Sequence, residues 1–346
     1  MEKQQKEHIK ACDFMRAVCA LGIVLYHYSV HITDENLQSV FRFCQIEWSD
    51  VIVTIFFLIS GAMLFYNYPV ISSLKGFYYK RWKSIFPFFY LIFIPKFLLN
   101  VIRYKSVFYL GHPFGLLLSF LGVDGYFSYR IDTYYMMGEW FLGAIILLYL
   151  LYPAVLWLFR KSAALTTFLA IAGYIFVLQS GIFIIDPLRN LLSCLMCFEL
   201  GMLFMKYKKR LCTLAVCLIS LALAVLVCAC EMGLPIYPVT RYHLVGIFLF
   251  TVLFYLGDYV MKVPYLSKAL SEISKLSFPI FLLHHITILQ AVELFMPETA
   301  AAELIEFLVV LTVILAASKI LSIVVKWIFG TAVYQKLEAK LLAVKS

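Results

Sequence analysis

Apolar stretches about 20 residues long, enough as helices to cross about 30 Å of hydrocarbon, recur from one end of this 346-residue chain to the other with only short polar gaps. Windows near 11–30, 50–68, 84–102, 138–159, 163–180, 189–205, 211–230, 242–258, 276–295 and 304–328 read as ten transmembrane helices. The expected fold class is therefore all-α, a polytopic integral membrane helix bundle forming one domain over residues 1–346. Composition agrees, because 63% of the residues are hydrophobic and 14% charged, far from a soluble globular balance. The first ten residues are polar and the span after them is full length with no small-residue cleavage site, so no signal peptide is expected.

Loops that stay in the cytoplasm retain an excess of Lys and Arg. With the N-terminus inside, alternate loops hold Lys3, Lys6 and Lys10, then Lys75, Lys80, Arg81 and Lys83, then Arg160 and Lys161, then Lys206, Lys208, Lys209 and Arg210, then Lys262, Lys268 and Lys275, and finally Lys336, Lys340 and Lys345. The opposite side holds only Arg42, Arg103, Lys105, Arg130, Arg189 and Arg241. Both termini are expected in the cytoplasm, and the net charge of +9 is mainly a topology signal. Dispersed basic residues without an accompanying motif give no reason to expect nucleic acid as a partner, and membrane lipids are the expected surroundings. Of nine cysteines, all but Cys44 fall within or at the ends of apolar helices, where a thiol packs as a small hydrophobe. Cys194 and Cys197 have knuckle spacing but no second pair, so their reading is structural and no metal is expected.

Residues 11–32 carry Asp13, Arg16, His27 and His31 inside an otherwise apolar helix. At 100° and 1.5 Å per residue, Arg16 and His27 share a face and stand roughly 16 Å apart along the axis, with Asp13 one turn below Arg16. Asp13 and Arg16 can reach the interface by snorkelling. His27 lies too deep for that, and an ionisable residue inside a membrane normally faces a protein interior or a water-filled path.

Arg16, ten intervening residues and His27, embedded in "DFMRAVCALGIVLYH", resemble the first-helix signature of the bacterial acyltransferase family 3, membrane proteins that acylate carbohydrates and related acceptors. "FFLISGAMLF" at 56–65 resembles its second-helix block, "FYYKRWKSIFPFF" at 77–89 its basic entry to the third helix, and "WFLGAIILLYLLYP" at 140–153 its WFL segment. "LSFPIFLLHHITIL" at 276–289 resembles its late YLxH segment, with Phe281 in place of Tyr, and alignment to that pattern selects His284 over His285.

The resemblance implies an acyl-CoA donor, usually acetyl-CoA, a carbohydrate or glycolipid acceptor, and a bacterial plasma (inner) membrane. Arg16, with Asp13 as its i+3 partner and with Lys80, Arg81 and Lys83, is expected to hold the coenzyme phosphates. His27 is the expected base for the acceptor hydroxyl. Its orienting group must come from another helix, and Glu139, Glu199 and His284 are the candidates. Ser60 beside Gly61 reads as a helix-packing pair rather than a covalent acyl carrier.

The connection 103–137 is rich in Tyr beside Asp124, Arg130 and Asp132. Such a mixture serves either to stack and hydrogen-bond sugars or to form an interfacial aromatic belt. Asp124, Arg130 and the following Trp140 are the expected acceptor contacts. A competing class, a transporter or flippase of a lipid-linked glycan or small polar solute, would share the helices and buried charges, with Lys96, Glu139 and Glu199 along its path. It lacks support from any internal repeat of the hydropathy pattern.

Overall fold

The computed structural model describes residues 7–32, 38, 46–134, 140–229, 237–295, 297 and 299–343. Among them the regular structure is helical, without strands: α1 (Lys10–Ser29), α2 (Trp48–Asn67), α3 (Leu74–Tyr104), α4 (Pro113–Phe120), α5 (Asp124–Phe127), α6 (Trp140–Lys161), α7 (Ala163–Ser180), α8 (Leu191–Lys206), α9 (Lys208–Leu211), α10 (Leu214–Ala229), α11 (Pro238–Val260), α12 (Pro264–Leu294), α13 (Ala300–Gly330) and α14 (Ala332–Ala343). Seven described helices, α2, α3, α6, α7, α11, α12 and α13, are long and apolar enough to cross a membrane. The other three expected windows are also helical. Of these, α8 and α10 have 16 residues each, short of a full crossing, and α1 has 20 but carries Lys10, Asp13 and Arg16 in its first two turns.

The chain folds as two compact units, one formed by Met1–Pro69 with Cys194–Ala316 and the other by Val70–Ser193 with Ala317–Ser346. In the first, α1 packs against α2, α11 and α12, while α11 also packs on α2 and α10. No residue from Ala11 to Ser29 is exposed. That enclosure resolves the conflict between an apolar helix and its ionisable groups, because the polar side chains meet other helices rather than lipid.

Small side chains make the enclosure possible. The first half of α1 (Ala11, Cys12, Met15, Cys19) joins a core with Leu58, Ile59, Ala62, Phe204, Val245, Phe250 and Phe254. Its second half (Ala20, Ile23, Val24, Tyr28) joins Leu276, Ile280, Ile288, Val310 and Ile314. Helix association in lipid relies on close packing more than on exclusion of water. Its tightest expression here is reciprocal: a Cβ on Gly61 would stand 1.7 Å from the Phe198 carbonyl oxygen, and one on Gly201 would stand 2.0 Å from that of Leu58. Gly61 therefore sets the backbone contact of α2 with α8, in line with the packing role expected for the Ser60–Gly61 pair. Cys194 and Cys197 are both buried, and His243 Nδ1 lies 3.5 Å from Cys197 Sγ and 2.9 Å from Thr54 Oγ1.

In the second unit, α6 packs against α3, α5 and α7. The α3 helix starts where the Ser73 hydroxyl accepts from the Gly76 N–H, and α7 where Ser162 accepts from Leu165, the caps that these residue types favour. The α7 helix stops at Gly181, whose φ of 63° suits a residue without Cβ. Along α3, Phe89, Phe93 and Phe97 repeat at i+4 and stack at 5.2 and 5.9 Å, with Phe120 of α4 set edge-on against Phe93 and Phe97. Near the start of α3, Lys83 Nζ donates to Glu338 Oε1 of α14 at 2.8 Å.

Candidate active site

Two polar centres lie along α1. At its N-terminal end, Asp13 is a hub. His8 Nε2 lies 2.6 Å from its Oδ2, Ser274 Oγ of α12 donates to Oδ1 at 3.0 Å, and Ser271 Oγ lies 3.5 Å from Oδ2. Arg16 Nη1 is 3.9 Å from Oδ1, and its side chain keeps 31% exposure. The expected Asp13–Arg16 pairing is therefore present at the outer limit of an ion pair, while the close contacts of Asp13 come from His8 and Ser274. Arg16 retains N–H groups for a further partner, since guanidinium offers five.

Three turns on, His27 meets two imidazoles of α12. Its ring centroid lies 5.1 Å from that of His284 and 4.1 Å from that of His285, and the two α12 rings are 4.3 Å apart. Successive residues of a helix diverge by about 100°, so this closeness means that both rings lean toward α1. His284 is 1% exposed, and its Nδ1 lies 2.6 Å from the Phe281 carbonyl oxygen. A carbonyl only accepts, so Nδ1 carries the proton and Nε2 of the neutral ring presents its lone pair. That Nε2 is buried with no hydrogen-bond partner among the described residues. Of the groups expected to orient His27, the structure brings His284 to it. Glu199 is buried in α8, and Glu139 lies outside the described residues.

Between α12 and α13 is a cavity of about 570 Å³, lined mainly by aliphatic side chains with Thr287, Gln290 and Glu306 as its polar members. Glu306 is 8% exposed, and its Oε2 accepts from the Tyr28 hydroxyl at 2.8 Å. The same hydroxyl is 2.7 Å from the Glu303 carbonyl oxygen.

The remaining expected site residues belong to the second unit. Lys80 is exposed, Arg81 Cζ stands 5.7 Å from the centre of the Tyr149 ring, and Lys83 is committed to Glu338 and faces the Phe329 ring at 4.6 Å. Asp124 is 1% exposed, with Oδ2 accepting from Ser119 at 2.8 Å and Oδ1 buried with no hydrogen-bond partner among the described residues. Burial pushes its carboxyl up from the ordinary aspartate value. Arg130 is exposed, and Trp140 is partly buried with the Arg189 guanidinium 5.5 Å from its ring centre. Within the loop, Tyr126 and Tyr134 are buried, whereas Tyr104 and Tyr129 are exposed.

Sequence reasoning misses Ser271, Ser274 and His8 around Asp13, and it passes over His285. Serines carry no distinguishing pattern. The signal for the other residue is the His284–His285 doublet itself, two imidazoles where one would satisfy the motif.

The sequence model of acyltransferase family 3, described as an acyltransferase domain, matches residues 9–327. Comparison with curated proteins and with solved structures found no match. The matched span includes α1 with Arg16 and His27, the doublet on α12, and most of α13.

Proposed function

The chain belongs to acyltransferase family 3, and from that premise we propose that this membrane acyltransferase moves an acetyl group from acetyl-CoA to a hydroxyl of a cell-surface glycan or glycolipid precursor. The observation that carries the reading is the enclosure of His27 against His284 within the family's matched span. An acceptor hydroxyl must lose its proton as it attacks the thioester, and a neutral imidazole takes a proton at physiological pH. His27 is the base in this scheme, and His284, fixed by the Phe281 carbonyl, positions it. Glu139 is kept as a further acid–base candidate from the sequence. Arg16, steadied by Asp13, binds the coenzyme phosphates, because a guanidinium suits phosphate oxygens; Lys80 and Arg81 are kept as further phosphate candidates from the sequence, whereas Lys83 is engaged by Glu338. The roughly 16 Å rise from Arg16 to His27 suits an extended pantetheine arm. Trp140 and Arg130 contact the acceptor, and Asp124 shapes the loop that carries Arg130.

The same reading takes residues 1–346 as one acyltransferase domain of ten membrane crossings, with both termini cytoplasmic, in a bacterial inner membrane. It is supported by the alternation of Lys and Arg among the loops. The test is binding of acetyl-CoA to detergent-purified protein, comparing wild type with Arg16→Ala and His27→Ala. Saturable binding that weakens with Arg16→Ala and survives His27→Ala is expected. Absence of binding to folded protein would overturn the proposal in favour of a transporter.

A further inference from the structure

We propose that His27, His284 and His285 form a binding site for one divalent transition-metal ion of the zinc type. Each of the three residues offers one ring nitrogen, and the three nitrogens lie within 4.8 Å of one another. Zinc takes imidazole at about 2.0–2.1 Å, so a tetrahedral site needs nitrogens about 3.4 Å apart. Side-chain shifts of about an ångström close that gap, and the rings already converge from two helices. A set of three imidazoles with a fourth position open is a recurrent zinc arrangement, and imidazole favours zinc, copper and nickel over magnesium or calcium.

A second, independent observation points the same way. His284 Nε2 is a buried lone pair with no hydrogen-bond partner among the described residues, on a side chain 1% exposed. Its ring is held by donation from Nδ1 to the Phe281 carbonyl. Histidines that bind metal characteristically donate the other ring N–H to such an acceptor, which fixes both tautomer and ring orientation. A buried acceptor left idle is costly, and a metal ion would use it.

The functional consequence, unlike the binding itself, rests on the acyltransferase reading. An ion on His27 ties up the lone pair that would take the acceptor's proton, so metal occupancy suppresses transfer and a chelator restores it. The ion forms coordinate bonds only, with no electron exchanged.

The experiment uses purified full-length protein in detergent, stripped with EDTA and titrated with ZnCl₂ or CoCl₂. Wild type should retain about one zinc per chain after removal of free metal, and Co²⁺ should give visible d–d bands of a low-coordinate nitrogen site. Loss of an outer hydrogen-bond partner costs metal affinity about 10–100-fold. His27→Gln and His285→Asn, which remove ligands outright, should each therefore cost at least about tenfold, while His31→Ala should bind as wild type does. Substoichiometric zinc in folded wild type, or unchanged affinity in both ligand variants, overturns the site. Thiol release from acetyl-CoA is followed on the same samples. Zinc bound with no transfer under any metal condition would sink the acyltransferase reading and leave the site standing. Transfer by a protein that takes up no zinc at any concentration would do the reverse. Transfer unaffected by bound zinc would remove the inhibitory consequence.

Discussion

The imidazoles of His27 and His285 stand 4.1 Å apart between centroids, closer than His27 stands to His284 at 5.1 Å. The doublet thus divides its work. His284 is locked onto its own helix by the Phe281 carbonyl, and His285 makes the nearer ring contact with the candidate base. Replacing His27 with Ala should lower kcat for acyl transfer by about 10²–10⁴-fold, the usual contribution of a positioned base. Steady-state thiol release checks this, with size-exclusion profiles confirming that the variant remains folded. Activity within about threefold of wild type would remove His27 from the chemistry.

Arg16 and Asp13 should separate binding from turnover. Arg16→Ala is expected to raise KM for acetyl-CoA about tenfold or more with a smaller change in kcat, because a charge-assisted hydrogen bond contributes about 1.5–3 kcal/mol. Ser274→Ala, which removes one donor from Asp13, should give a smaller KM increase in the same direction. A Ser274→Ala variant with altered kcat and normal KM would contradict the view that this hub serves the donor.

The crossing of α2 and α8 should not tolerate side chains. Since a Cβ on Gly61 or Gly201 would fall within 2.0 Å of a backbone oxygen, Gly61→Val and Gly201→Val must push the helices apart. Each should destabilise the protein by about 1–3 kcal/mol or more, read as a lower midpoint in detergent thermal unfolding. Gly330→Val, at a position with open space around it, is the control expected to leave that midpoint nearly unchanged.

Asp124 predicts a dependence on pH of definite sign. Burial raises its carboxyl above the ordinary aspartate value, so between that value and the raised one the folded protein holds a proton that the unfolded chain has released. Stability from this site is present at low pH and falls as pH rises through the raised value. Asp124→Asn keeps an acceptor for the Ser119 hydroxyl and has no charge to bury. Its thermal midpoint should gain on wild type progressively above the ordinary carboxylate range, and parallel pH profiles would contradict this.

Glu338 has the opposite sign. Its bond from Lys83 holds the carboxyl below the ordinary glutamate value, so the pair's contribution is present above that value and is lost as pH falls through the lowered one. Glu338→Gln should loosen α14 at neutral pH, seen as faster limited proteolysis near the C-terminus. At acid pH the variant and wild type should converge.

Much of this organisation is legible from the chain. Periodicity of 3.6 puts Asp13, Arg16 and His27 on one stripe, and the apolar windows coincide with helices because backbone groups in lipid have few alternatives. Partners are less legible. Ser271 and Ser274 meet Asp13 from 258 and 261 residues away, and nothing local marks either serine. Lys83 reads as a phosphate ligand on charge alone, whereas its contact with Glu338 depends on where α14 docks. In the loop, Asp124 reads as an acceptor contact, yet it is buried and accepts from Ser119 of the preceding short helix, a placement decided by tertiary packing and not by composition.

Tyr28 gives the end of α1 a mechanical character. Its hydroxyl reaches the Glu303 carbonyl and the Glu306 carboxyl of α13, one residue from His27 and one residue before the last of the helix. The last turn is thereby moored to a neighbouring helix instead of hanging from a loop, so His27 inherits its coordinates from an anchor placed beyond it. Any force that slides α13 lengthwise is delivered to the imidazole through a single peptide unit, a stiff coupling that would keep the nitrogen in register with whatever α13 holds.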